Sequence, residues 1–202
     1  MSLKRFGSYG SKVDTFRGGC FAFILMEVMQ VSVDILHETV RASLEHVVTP
    51  LEIVPCDTAQ ADTAQFCEAL GYELADSANC ILLSSRKPKG HFVACVVLAT
   101  HRLDVNGKVR ELQGMKFSFA KADQTVEITG QEIGGVTPLG LPTDVPILVD
   151  AAVMKRERVI IGGGNRTSKI LCAPGLLGEI STVEIHEGLG VPRPAEPHAP
   201  VG

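Results

Sequence analysis

The amino-acid sequence predicts a mixed α/β (α+β) domain. Short β-rich runs are interrupted irregularly by short helical patterns, and connections such as RKPKG have hairpin length and composition. There is no regular repeat and no βαβ series of the kind a doubly wound nucleotide fold requires. At 202 residues, with 45% hydrophobic and 21% charged residues, the chain is long enough for one domain with a substantial core. With no Trp and 5% aromatics, that core is built from Val, Ile, Leu and Ala.

Residues 1–30 are expected to be a flexible or poorly defined extension. Their first part, MSLKRFGSYGSKVDTFRGG, has no apolar period, and CFAFILMEVM is too short and too interrupted by Glu27 to be a membrane span or an export signal. The domain proper is expected over 31–188. From Val33, VDILHETVRASLEHVV spaces Ile35, Leu36, Val40, Leu44 and Val47 as an amphipathic helix ended by Thr49-Pro50. LEIVPC is a short strand. The next helix, over 62–70, is capped by Asp57 or Asp62 and stops at Gly71.

CILLSS and HFVACVVLAT read as central strands, the second apolar enough to be buried on both faces. VNGKVRELQG forms a short helix, KFSFA a strand, and KADQTVEITG a helix ending at Gly130. After GGVTPLGLP come the strand VPILVD, the helical turn AAVMKRE, the strands RVIIGGG and SKILCA, a helix PGLLGEI and a last strand TVEI. The Pro/Gly-rich segment 189–202 is expected to be a disordered tail.

The net charge of −4 excludes a broad basic surface for duplex DNA and leaves room for a local positive patch. Cys20, Cys56, Cys67, Cys80, Cys95 and Cys172 show neither a CxxC nor metal spacing. They read as reduced thiols of a cytoplasmic protein without a structural metal.

Two glycine clusters, GGVTPLG at 134–140 and IIGGGNRTSK at 160–169, invite a phosphate-binding reading, and both fail it. Leu141 and Pro142 stand where a Walker A loop needs Lys and Ser, no hydroxyl follows Lys169, and neither cluster is a GxGxxG between strand and long helix. What remains is a loop of paired glycines that approaches a ligand closely and converges amides on a carbonyl or an anion, stiffened by Pro138 and Pro142. A tight turn entering VPILVD would read the same way.

The order GGVTPLG, VPILVD, GGGNR and an alternating strand, within Val33–Ile185, resembles the YbaK/EbsC family, which includes the editing insertion of bacterial prolyl-tRNA synthetases. The resemblance implies a mixed, mainly antiparallel β-barrel-like sheet flanked by helices. It implies hydrolysis of the ester joining a misattached small amino acid to the tRNA 3′ end, with no metal or cofactor. Such an ester is already activated, so positioning and oxyanion stabilisation suffice.

By resemblance, Gly134 lies at the reacting carbonyl and Gly135, Thr137, Pro138 and Gly140 shape the pocket. Gly163, Gly164 and Arg166 face the cleft, and Arg86, Lys87 and Lys89 hold tRNA phosphates together with Arg166. Asn79 and Asp150 are further candidates for pocket polar groups, with helix capping the alternative role for Asp150. Two departures mark a divergent branch: Cys80 stands where the best-studied members have lysine, and Lys169 where they have aspartate. If adjacent, Lys169 would orient the substrate and depress the Cys80 pKa. His91 and His101 are the histidines a cysteine mechanism would need, and both read as surface positions.

The expected activity is that of a trans-editing aminoacyl-tRNA deacylase acting on the tRNA acceptor end, without duplex DNA or membrane as partners and with a homodimer left open. The alternative is a non-catalytic module of the same fold that binds tRNA ends or aminoacylated ligands.

Overall fold

The computed structural model describes residues 33–58 and 63–194. Where a long helix is expected, the chain forms the short helix α1 (Glu38–Ser43) followed by a 3-10 turn. His37 breaks the longer helix: its backbone is extended, its ring caps the Thr39 amide, and its own amide donates to the Gly163 carbonyl at 3.0 Å. Leu36 and Val40 remain buried, as their spacing requires, so pairing with the glycine turn overrides local helix continuity without changing the buried face.

β1 (Leu51–Pro55) precedes α2 (Thr63–Leu70), whose expected cap Asp62 lies outside the described residues. β2 (Ala78–Ser85) begins two residues earlier than its apolar run and turns back through 86–90 into β3 (Phe92–Leu98). β4 (His101–Leu103) leads through a π turn into α3 (Arg110–Gln113); the Asp104 carboxylate accepts from the Gly107 and Lys108 amides there. Then follow β5 (Phe117–Phe119), α4 (Ala122–Thr129), β6 (Ile147–Asp150), α5 (Ala151–Met154), β7 (Val159–Gly162), β8 (Ser168–Cys172), a 3-10 helix over Pro174–Glu179, β9 (Val183–His186) and β10 (Gly190–Pro192).

The strands form a five-stranded sheet in the order β5-β2-β3-β6-β9, a three-stranded sheet β1-β8-β7 and the pair β10-β4. All pairings are antiparallel except β3 with β6 and β6 with β9. This is the mixed, mainly antiparallel arrangement the resemblance implies, with sheets that do not close into a barrel. A bridge between Ser77 and Ile160 joins the larger sheets where β2 begins.

β3 carries the core. Ala94, Val96 and Leu98 belong to the cluster shared with β6, β7 and β8, whereas Val93, Cys95 and Val97 belong to a second cluster with Leu103, Val109, Phe117 and Leu189. Alternation along one strand thus feeds two apolar layers, which explains why its sequence is almost wholly hydrophobic.

The unpacked tail expected from 189 onward is corrected over its first residues. Leu189 is buried, Gly190–Pro192 pair with His101–Leu103, and the Asp150 carboxylate accepts the Gly190 amide. A buried leucine and a ladder override the composition. Residues 1–32 and 195–202 lie outside the described residues. Among the described residues, no helix is long and apolar enough to cross a membrane.

Candidate active site

GGVTPLG leaves α4 through Gly130 and folds back on the second glycine cluster. The Gly135 amide donates to the Glu132 carbonyl at 3.0 Å, closing a tight turn. The Gly164 amide then donates to the Gly135 carbonyl at 2.8 Å, and the Glu132 amide to the Gly164 carbonyl at 2.9 Å. A Cβ on Gly135 would overlap the Asn165 backbone, and one on Gly162 would overlap the Gly135 carbonyl. Gly135 and Gly162 are therefore required by backbone-on-backbone contact.

Gln131 fastens the loop from inside. It is 1% exposed, its Oε1 accepts the Thr137 amide at 2.8 Å, and its Nε2 donates to the Leu139 carbonyl at 2.8 Å. Asn165 anchors the opposite side by donating to the Ile35 carbonyl and accepting from Thr167 and Ser168. With backbone groups tied on both sides, the loop is held before any ligand arrives.

The wall so built faces a cleft of about 340 Å³ between the two larger sheets. Gly134, Val136, Asn79, Cys80 and Lys169 line it with Thr63, Phe66, Phe119 and Ile133. Gly134 takes φ +89°, and the Arg166 guanidinium lies 2.8 Å from where its Cβ would stand. The amides of Gly134 and Val136 donate to no acceptor among the described residues. Both residues line the cleft, which makes these amides the candidate donors to a ligand oxygen. Asn79 is oriented by the Thr63 hydroxyl, which donates to its Oδ1 at 3.1 Å.

Among the described residues, Lys169 and Cys80 are the ionisable ones that line the cleft. Lys169 is only 6% exposed and sets its ammonium 5.9 Å from the Phe66 ring centroid. Cys80 shares the cleft with it, but the expected depression of the thiol pKa does not occur. Burial pushes Cys80 up to about 12, with no relief from the lysine. At neutral pH the Cys80 thiol is protonated and unsuited to nucleophilic attack.

The structure brings Asn79, Cys80, Gly134 and Lys169 into one cleft, and Arg166 arches over Gly134 while donating to the Thr58 carbonyl at 3.0 Å. It leaves the other candidates elsewhere. Gly135, Thr137, Pro138 and Gly140 build the loop behind its wall, where Gly140 packs on the Thr39 backbone. Gly163 and Gly164 pack against Leu36, His37 and Val40. Asp150 takes the capping alternative, its carboxylate accepting the Ala152 amide at 2.7 Å and the Gly190 amide at 2.5 Å.

Arg86, Lys87 and Lys89 are exposed on the β2–β3 turn, and neither they nor His91 and His101 line the cleft. Among the described residues no group of three or more His, Cys, Asp or Glu side chains is placed to hold a metal ion. Gln131, Phe119 and Ile133 were not singled out by sequence; for Gln131 the only local mark is a long amide side chain between Gly130 and the glycine pair.

The sequence model of the aminoacyl-tRNA editing domain matches residues 57–177, which span the cleft strands and both glycine clusters. The chain belongs to the aminoacyl-tRNA editing domain family. This editing domain is 30% identical over 130 residues to the uncharacterized protein YwhH of Bacillus subtilis, covering 64% of the chain and 81% of YwhH. It is 35% identical over 91 residues to a proline–tRNA ligase of Bacillus licheniformis, covering 45% of the chain and 16% of the ligase. The fold is similar to that of hypothetical protein APE2540, with a TM-score of 0.68 at 23% identity, over 76% of the chain and all 100% of that structure. A candidate trans-editing enzyme for prolyl tRNA synthetase is similar at a TM-score of 0.64 and 23% identity, over 77% of the chain and 95% of its own.

Proposed function

We propose that this editing domain is a trans-acting hydrolase that removes a small misattached amino acid from the 3′ end of tRNA. A water, oriented by the ribose hydroxyl next to the ester, attacks the carbonyl carbon, and its proton passes to the tRNA oxygen as the ester C–O bond breaks. The charge developing on the carbonyl oxygen is met by the amides of Gly134 and Val136, and the tRNA hydroxyl leaves as the free amino acid is released. The observation that carries this reading is the Gly134 position: a left-handed glycine on the cleft wall, with an amide that donates to no described acceptor, in a loop locked by the second glycine cluster.

Lys169 supplies positive charge to the cleft and orients the substrate, and Arg166 over Gly134 is placed to meet the tRNA end. Cys80, protonated at neutral pH, serves as a wall of the pocket. The same protonated thiol is the observation favouring the second reading, a module that binds tRNA ends or aminoacylated ligands without turnover. The test is loss of the ester from a panel of tRNAs mischarged with Cys, Ala, Ser or Pro, against heat-treated protein. Turnover of at least one ester supports the hydrolase; tRNA binding with no turnover across the panel supports the binding module.

A further inference from the structure

The cleft has an apolar lip that carbonyl chemistry leaves without a role. Phe119 ends the edge strand β5 and lines the cleft with Gly134, yet it is 63% exposed. Ile133, the residue before Gly134, also lines it and is 44% exposed. One exposed apolar side chain on a surface is ordinary. Two on the rim of one cleft, one of them adjoining the residue at the reacting carbonyl, form a face suited to an apolar, flat partner.

The platform is also rigid. Phe119 pairs with Leu83 and Ser118 with Ser84, the Ala120 amide donates to the Leu82 carbonyl at 3.0 Å, and Phe117 is buried in the second core cluster. Lys169, a cationic residue lining the cleft, sits inside it near Phe66 and not on this lip, and the Arg166 guanidinium lies over Gly134, so the apolar pair offers stacking beside a cation that can meet a phosphate.

An ester on a terminal ribose carries its nucleobase on the same sugar, so a base must lie close to any carbonyl held at Gly134. We infer that Phe119, with Ile133, seats the 3′-terminal nucleobase of the acylated nucleic acid by stacking. The inference rests on the reading of the cleft as a site for aminoacylated tRNA ends.

The chain contains no tryptophan, so Phe119→Trp, at a largely exposed position, introduces a single indole that reports stacking directly. Titrated with the trinucleotide CCA, this variant should show saturable fluorescence quenching. A trinucleotide whose 3′ residue lacks its base should bind about tenfold more weakly or worse. Absent quenching, or equal quenching by both, overturns the inference.

In deacylation, Phe119→Ala should raise KM about tenfold at unchanged kcat, with Phe119→Tyr restoring KM. A lowered kcat at unchanged KM, or no restoration by tyrosine, overturns it. Base-dependent quenching without ester turnover by the unaltered protein would remove the hydrolase reading and keep the base seat. Turnover with base-independent quenching would do the reverse.

Discussion

The Gly164 amide donates to the Gly135 carbonyl at 2.8 Å, so two glycine clusters far apart in the chain form one wall. Because a Cβ on Gly135 would overlap the Asn165 backbone, Gly135→Ala must force two main-chain segments apart. It is expected to cost about 3 kcal/mol or more, read as a lowered urea midpoint.

Gly134→Ala should separate stability from activity. Its added methyl meets the end of a flexible Arg166 side chain, 2.8 Å away, and the left-handed backbone adds about 1–2 kcal/mol of strain. The protein should therefore stay folded in urea titration while kcat for ester hydrolysis falls about a hundredfold or more, the scale of losing an oxyanion donor.

Gln131→Leu would strand the buried Thr137 amide and Leu139 carbonyl, an expected loss of about 2–4 kcal/mol by denaturant unfolding. Thr137→Val should behave oppositely. The Thr137 hydroxyl is fully buried and has no hydrogen-bond partner among the described residues, so replacing it with a methyl of similar shape should leave stability within about 1 kcal/mol or raise it.

Cys80→Ala should keep near-normal turnover, because burial holds the thiol pKa at about 12 and leaves no thiolate at neutral pH. Iodoacetamide labelling read by mass spectrometry should find Cys80 slow to react at pH 7.

Asp76 links folding to pH. Burial disfavours its charge, but hydrogen bonds from Arg156 and Arg158 outweigh that and hold its carboxyl below the usual range. A carboxylate with a depressed folded pKa stabilises fully above its unfolded value of about 3.9 and loses that contribution as pH falls through the folded value. Asp76→Asn should thus be less stable than the unaltered protein in thermal unfolding at pH 7, with the gap closing under strong acid.

Local patterns made most elements legible: the apolar run of β3, the stops at Gly71 and Gly130, and the hairpin through 86–90 all follow from neighbouring residues. What escaped the sequence depends on distant partners. The helix over 33–47 breaks because His37 docks on Gly163, and Gly190–Pro192 becomes a strand because Leu189 and Asp150 hold it. The cleft was legible at Gly134, Asn79, Cys80 and Lys169. The capping role of Asp150 was visible only as an alternative, and Gln131 carries no periodicity to reveal that it spans the loop.

In the proposed reaction the ester carbonyl is held at Gly134. Ester loss under single-turnover conditions, measured with the unaltered protein and Gly134→Ala on the same mischarged tRNA panel, tests it most directly. Turnover of at least one small aminoacyl ester, and its loss in the folded alanine variant, is the expected result. Full activity of Gly134→Ala would contradict it and move the reaction centre elsewhere.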